Sequence, residues 1–450
     1  MSARTEFGMT RTGSARIAAL PDRLREVDLT LATDRARVGD VEELAAYLEA
    51  DGLGDEVLRA RYGTAGLFDA AERLYVQRGT GQALGRRRHA QMPAFPWARA
   101  ARGPLYLLPG LSGLLAARVL GPAATDAFVG AAMFGWGWTT TIGSLRYAEP
   151  FGVPGHAMRA LLVLGAGAGT LGGALCAGLS GGTPDLRSAA LGALVGGTVA
   201  LSSGAAGVLL SLHRTGPYAL AFAIPLLAAV AVTAAPTAEA ALATLGLLAL
   251  MPLLSALHAT RPAGQLRPSW ATLRPHLAHA PQGWMLALTF ALLTQRLGAW
   301  TLLPLVLATG LLEGTVWHVQ ERLQRAARLS ADLRELRRTG LPTVLLGAAA
   351  FALVPAAWAY IVPRLPIAVP ALPDAWAFVG LYGAALMLSA WLANHGRLVV
   401  LTLTWACGAA LMLTPVFSSS LPALCTAMTL LCAALSAFAL HASLDPRSYR

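Results

Sequence analysis

Glu313 is the residue best placed to do chemistry inside this chain, because it is an isolated carboxylate in a long apolar stretch with His318 close behind it. A carboxylate in hydrocarbon costs about 2.5 to 3.5 kcal/mol to insert, so such groups usually face a cavity or a partner. Two interpretations stay open. Glu313 is either a proton- or cation-coupling group on a substrate path, or an interfacial residue that pairs with a nearby arginine.

A group of aromatic and hydroxyl side chains lies in another apolar segment, at Trp136, Trp138 and Thr140. Aromatic rings stack on sugar faces and hydroxyls hydrogen-bond them, so this mixture suits a cavity for sugars or lipids. An aromatic belt at the membrane interface, or ordinary packing, explains the same residues. Arg296, beside a predicted turn, is a further path candidate, although snorkelling of its side chain accounts for it equally well.

Glycines recur at four-residue spacing in two neighbouring apolar segments, at Gly165, Gly169 and Gly173 and at Gly192 and Gly196. Small residues at this spacing let membrane helices approach closely, so we interpret them as helix-packing positions. One stretch also matches the glycine spacing of a dinucleotide fingerprint. No strand precedes it and it lies inside an apolar run, so we reject a nucleotide site.

Metal, cofactor and enzyme signatures are weak throughout the sequence. His276 and His279 have no evident third ligand, and the four cysteines form no C-x-x-C motif. The loops predicted on the outer side are too short to hold catalytic groups. We therefore expect no metal site, no cofactor and no enzymatic activity.

Composition places the chain among polytopic membrane proteins, because 55% of its residues are hydrophobic, 13% are charged and its mean hydropathy is +0.54. The net charge is +11, and all the basic residues are arginines. They do not form an unbalanced basic face with interleaved aromatics, so a nucleic-acid partner is excluded. Positive charge in such a chain orients it in the bilayer.

The amino-terminal region reads as a polar, cytosolic segment, 1–90, with a small helical bundle at about 40–80. Asp40 with Glu43 matches a capping box, Asp55 opens a second helix, and Thr64 can cap a third. A basic and aromatic linker, 91–102, follows it and precedes the first apolar segment.

Twelve apolar segments follow and predict an all-α membrane protein with two lobes of six helices. They are 103–120, 123–145, 158–180, 188–212, 216–234 and 238–258, then 277–295, 299–318, 341–363, 375–393, 397–414 and 420–442. The predicted domains are a first lobe 103–258, a basic cytosolic linker 259–276, a second lobe 277–442 that contains an amphipathic cytosolic helix 319–340, and a cytosolic tail 443–450. Arginines concentrate on one side of this plan, which predicts that both termini are cytosolic.

This plan resembles the exporters and flippases of the multidrug, oligosaccharidyl-lipid and polysaccharide superfamily, over residues 103–442 and at the level of span count and lobe size. The resemblance implies an inner-membrane transporter working by alternating access. It also implies a substrate such as an envelope polysaccharide or a lipid-linked saccharide, and the lipid bilayer as surroundings. The alternative is a non-catalytic membrane scaffold that recruits envelope-biosynthesis partners through residues 40–80.

Overall fold

The computed structural model describes Leu24, Val27 and residues 41–76, 94–148, 153–180, 185–261, 264, 267–329, 333–364, 372 and 374–443. Within these residues every regular segment is an α-helix or a short 3-10 helix. The chain divides into two compact units, Met1–Gln91 and Met92–Arg450. Each unit is described by itself below.

Within residues 41–76 the first unit has three short helices, α1 (Val41–Ala50), α2 (Asp55–Tyr62) and α3 (Leu67–Val76). Apolar residues at helical spacing on each of them meet in one small core. Its fully buried leucines are Leu24, Leu44, Leu48, Leu53, Leu58 and Leu74. The predicted helical segment at the amino terminus is therefore present. Asp40, proposed as the first cap, lies outside the described residues.

The third helix begins later than predicted. It starts at Leu67, and the hydroxyl of Thr64 is buried without a hydrogen-bond partner among the described residues. Asp55 takes the capping role instead, since its Oδ1 accepts a hydrogen bond from the Leu67 N–H at 2.6 Å. Asp69 Oδ2 accepts a second hydrogen bond, from the Ala65 N–H at 2.7 Å. The bond from the Ala65 backbone holds the pKa of Asp69 below its usual value.

The second unit begins with α4 (Trp97–Ala100) and a 3-10 turn at Gly103–Tyr106. Fifteen further helices follow: α5 (Leu107–Leu120), α6 (Pro122–Ser144), α7 (Gly155–Ser180), α8 (Leu186–Ser211), α9 (Thr215–Ala234), α10 (Ala238–Ala259), α11 (Trp270–Leu277), α12 (His279–Leu297), α13 (Ala299–Leu307), α14 (Thr309–Leu329), α15 (Leu333–Ile361), α16 (Trp376–Asn394), α17 (Leu398–Leu413), α18 (Pro415–Ser418) and α19 (Leu421–Ser443).

Each of the twelve predicted spans is occupied by helix, but they are not equally able to cross a membrane. Among the described residues, eight helices are long and apolar enough, and α13 with α14 makes a ninth if this bent pair is one span. Three predicted spans fall short. α17 has only 16 residues, and α6 and α12 are less apolar because threonine, glycine or glutamine interrupts them.

The predicted amphipathic helix 319–340 is helical on both sides of residues 330–332, which lie outside the described residues. Its first part is the end of α14, which runs to Leu329, and its last part is the beginning of α15, which starts at Leu333. The polar run thus extends the eighth predicted span and leads into the ninth. The predicted linker 259–276 also contains structure, since Ser269 caps α11 with a reciprocal capping box to Thr272.

The helices of the second unit pack as two sets. In the first set, α8 is central and contacts α6, α7, α9 and α10. In the second, α16 is central and contacts α15 and α19, with fully buried Tyr382 and Trp391 in its core. The sets meet where α6 crosses α12, and where α4 and the 3-10 turn lie on α13 and α14.

A candidate site where the two helix sets meet

Glu313 lies just after a break in the helical path. α13 and α14 meet at Ala308 with a bend of 41°. Pro304 within α13 lacks a backbone N–H, and the hydroxyl of Thr309 donates to the Val306 carbonyl at 2.6 Å, which satisfies an acceptor near the break. The carboxylate of Glu313 therefore sits one turn beyond an interrupted, apolar helix.

Tyr106 supplies the hydrogen bond to this carboxylate. Its phenol donates to Glu313 Oε1, and both side chains are partly buried. The interfacial interpretation anticipated an arginine as the partner. Arg99 and Arg102 do lie near enough to act on the charge of Glu313, but the bonded donor is the tyrosine.

Three glycines explain how the segment before α5 reaches α14. A Cβ on Gly310 would overlap the backbone of Ala100 and Gly103, and a Cβ on Gly103 would overlap the Leu307 carbonyl. A Cβ on Gly314 would come 2.8 Å from the ring of Phe95. Residues 95–106 therefore lie directly on the start of α14 because glycine leaves room there.

The same segment is also tied to the first helix set. Tyr218 of α9, only 1% exposed, donates its hydroxyl to the Leu105 carbonyl at 3.2 Å. Leu105 and Tyr106 thus bond to α9 of one set and α14 of the other. We call Arg99, Arg102, Tyr106, Tyr218 and Glu313 the junction cluster.

Positive charge gathers on one side of the junction cluster. The Arg99 guanidinium lies 5.4 Å from the centre of the Trp317 ring, in a cation–π arrangement. His213 connects α8 and α9. Partial burial of its ring, and then the guanidinium groups of Arg102, Arg99 and Arg146, hold the pKa of His213 below its usual value. Arginines distant in sequence therefore converge at this end of the helices.

The second contact between the sets is a crossing of glycines. A Cβ on Gly283 of α12 would come 2.5 Å from the Cα of Gly137 of α6. Trp284 Nε1 donates to the Phe134 carbonyl at 3.1 Å beside this crossing. The sequence signalled neither Gly137 nor Gly283 as special, because the partner of each glycine lies in the other helix set, far away in the chain.

The predicted aromatic and hydroxyl residues divide between this crossing and the core. Trp136 is 38% exposed and its ring centre lies 5.9 Å from that of Phe290 on α12. Thr140 Oγ1 donates to the Gly137 carbonyl of its own helix at 2.7 Å and lies 3.3 Å from the His279 carbonyl across the sets. Trp138 points elsewhere: it is buried and donates to the Leu161 carbonyl at 2.8 Å, so it packs inside the first set.

Neither Arg296 nor His318 takes part in the hydrogen bond between Tyr106 and Glu313. The guanidinium of Arg296 donates to the Met412 carbonyl at 2.7 Å, at the carboxyl end of α17, where a cation complements the helix dipole. His318 lies 6.0 Å from Phe95 between ring centres, and its buried Nδ1 has no hydrogen-bond partner in the described part of the chain.

The glycines predicted to pack helices lie where α7 meets α8. A Cβ on Gly173 or Gly169 would overlap the backbone of Gly192 or Gly196, and the reverse also holds. Gly165 faces the indole of Trp138 instead. These contacts place two smooth helical surfaces against each other.

The histidines considered as metal ligands have other surroundings. His276 Nδ1 lies 2.9 Å from Ser144 Oγ, and burial lowers the pKa of His276. Among the residues that the structure describes, no three His, Cys, Asp or Glu side chains are grouped as metal ligands would be.

Helices of this length and apolarity define an all-α, multi-pass membrane protein. No family model matches the chain, and no curated protein matches it. Solved structures of MATE in complex with MaD5 and with MaD3S are similar to it at 13% and 15% identity, each with a TM-score of 0.46, covering 77% of this chain and 93% of theirs. A structure of MATE in complex with MaL6 has 12% identity and a TM-score of 0.44. Similarity at this level is too low to establish a shared fold, so the class of the protein rests on its own helices.

Proposed function

We propose that this protein is a membrane transporter that exports or flips an amphipathic molecule by alternating access. The observation that carries the proposal is the junction cluster, in which a partly buried carboxylate follows a broken helix and is bonded to a segment shared by both helix sets. Broken helices and intramembrane carboxylates are features of transport paths.

The cluster suits a coupling role because its bonds cross the contact between the sets. Rocking of one set against the other must stretch or break one of two bonds, Tyr106–Glu313 or Tyr218–Leu105, since the segment between them is bonded to both sets. A carboxylate that loses its phenol donor gains affinity for a proton or a cation. Binding there is thereby linked to the conformation of the helices.

The substrate we propose is an envelope polysaccharide or a lipid-linked saccharide, at an inner membrane with both termini cytosolic. Trp136 and Phe290 place aromatic surface beside the hydroxyl of Thr140 at the contact of the sets, which offers stacking and hydrogen bonding to a sugar. No cofactor and no enzymatic step is part of this proposal.

Flipping in proteoliposomes tests the function directly. The probe is a fluorescent polyprenyl-diphosphate disaccharide, and dithionite added outside measures how fast the label changes leaflet. Glu313→Gln should slow the flipping at least tenfold, whereas Glu239→Gln, at the start of α10 and exposed, should leave it unchanged. If the Glu313→Gln variant flips the lipid as fast as the wild type, the coupling role of Glu313 is wrong. If the wild-type protein flips the lipid no faster than empty liposomes do, the proposed substrate is wrong.

The first unit favours a second candidate function, a membrane scaffold. A cleft of about 440 Å³ on its surface is lined by Val41, Glu42, Phe68, Asp69, Glu72 and Tyr75. Phe68 is 62% exposed and acidic groups surround it, so the cleft suits a segment with both apolar and basic side chains.

Co-purification from envelope membranes separates the two functions. If the protein is a scaffold, the Phe68→Ser variant should lose a bound envelope-biosynthesis enzyme. The control variant Val57→Ser changes an exposed valine of α2 and should keep that enzyme bound. A transporter requires that flipping of the fluorescent lipid survives Phe68→Ser. If Phe68→Ser releases nothing, the scaffold function fails.

A further inference from the structure

A cleft with three basic side chains opens between the start of α9 and the end of α10. Its volume is about 550 Å³, and it is lined by Arg214, Pro217, Leu254, Ser255, His258, Ala259 and Arg261. None of these lining residues is acidic. The cleft therefore offers two guanidinium groups, an imidazole and a hydroxyl to a single anion.

The turn that carries Arg261 is anchored from a neighbouring helix. Arg159 of α7 donates to Thr260 Oγ1 at 2.9 Å and to the Thr260 carbonyl at 2.7 Å, and Thr260 is fully buried. The Arg261 N–H in turn donates to the His258 carbonyl at 3.2 Å. The backbone positions of both basic residues are thus fixed by the fold.

Arg159 also removes a repulsion that an anion would otherwise meet. The carboxyl end of a helix carries a partial negative charge on its unbonded carbonyls. At α10 the Leu257 and Thr260 carbonyls accept hydrogen bonds from Arg159. The end of α10 can therefore line an anion site without opposing the bound charge.

Exposed apolar side chains continue beyond the cleft along the same helices. Leu254 and Leu250 recur one turn apart on α10 and are 52% and 51% exposed, and Leu220 of α9 is 65% exposed. In a membrane these side chains face acyl chains. A ligand in the cleft is therefore expected to have a charged group at one end and hydrocarbon at the other.

We infer that this cleft binds the phosphate group of an anionic lipid, with Arg214, His258 and Arg261 on the phosphate and an acyl chain along Leu254 and Leu250. Basic pockets between membrane helices recognise lipid headgroups in this way. None of the lining residues belongs to the junction cluster, and the inference does not depend on the transport proposal.

Native mass spectrometry of the full-length protein in detergent, titrated with phosphatidylglycerol, tests the site. Arg214→Gln with Arg261→Gln removes both guanidinium groups and should weaken the binding of the first lipid about 30-fold, at roughly fivefold for each arginine. The matched control is Arg118→Gln with Arg187→Gln, which removes two exposed arginines at the other end of the helices and should leave binding unchanged. Equal losses in both variants, or none in the first, would overturn the inference.

Two further experiments distinguish a lipid phosphate from free inorganic phosphate as the ligand of the cleft. Leu254→Gln should weaken phosphatidylglycerol binding severalfold, whereas Leu171→Gln on α7, also exposed, should not. Inorganic phosphate at millimolar concentration should fail to displace the lipid. If it displaces the lipid and Leu254→Gln has no effect, the cleft is a site for free phosphate and the lipid assignment is wrong.

Discussion

The phenol of Tyr106 donates a hydrogen bond to the carboxylate of Glu313 across a sequence separation of 207 residues. Tyr106 ends the turn that leads into α5, and Glu313 lies in α14 just beyond the bend at Ala308. One bond therefore joins the first helix set to the interrupted span of the second.

Tyr106→Phe should destabilise the protein by about 1.5 to 3 kcal/mol, because it removes a hydrogen bond to a charged, partly buried acceptor. Thermal unfolding in detergent measures the loss. Tyr360→Phe is the control, since that side chain is 48% exposed. In the Glu313→Gln background the same change should cost clearly less, and equal costs in both backgrounds would show that the two side chains are not coupled.

Gly173→Ala should reduce stability by about 1 to 3 kcal/mol, because its Cβ would come 2.8 Å from the Gly196 Cα at the contact of α7 with α8. A Cβ on the neighbouring Gly172 would have no other atom within 4 Å. Gly172→Ala should therefore be neutral or slightly stabilising, since alanine is the better helix residue. The fraction of each variant that stays monodisperse after heating, measured by size-exclusion chromatography, gives the ranking. A neutral Gly173→Ala would argue against close packing there.

Arg296→Gln should lower stability by about 1 kcal/mol while flipping continues, because the guanidinium bonds to the Met412 carbonyl at the end of α17. Thermal unfolding and the flipping assay are read on the same preparation, with Arg118→Gln as the exposed control. If Arg296→Gln abolished flipping without changing stability, Arg296 would instead belong to the substrate path.

Asp69 should make α3 sensitive to acid. Its pKa is lowered in the folded protein, so its stabilising contribution is complete above the unfolded-state value of about 3.9 and is lost as the pH falls through the lower folded-state value. Amide exchange of α3 in the full-length protein, corrected for intrinsic rates, should accelerate below about pH 4. Asp69→Asn should show faster exchange already at pH 6 and little further pH dependence, whereas Glu56→Gln should behave as the wild type.

The orientation of the helices can be tested at the two ends of α8. In a background with the four native cysteines replaced by alanine, Leu186→Cys should react with an impermeant maleimide only from outside, and Arg214→Cys only from the cytosol. Both residues are exposed. The reverse labelling would place the termini outside.

The amino-acid sequence predicted the helices well because the signals for them are local. Long apolar runs bounded by glycine, proline and arginine fix where a membrane helix can form, and each predicted span is indeed helical. Local signals were less reliable at boundaries. Thr64 looked like a helix cap, but Asp55 accepts the hydrogen bond from the Leu67 N–H at the start of α3, since the choice depends on which side chain reaches a free N–H.

The sequence by itself determined the class of the protein, because the apolar content of its segments leaves few alternatives to a bundle of membrane helices. It also marked Glu313 as costly and the glycines of α7 and α8 as packing positions. Only the tertiary structure decided that Tyr106 bonds Glu313, that Gly137 meets Gly283, and that Arg296 caps α17. Each of these depends on which helices become neighbours, and no local pattern encodes a contact between residues so far apart in the chain.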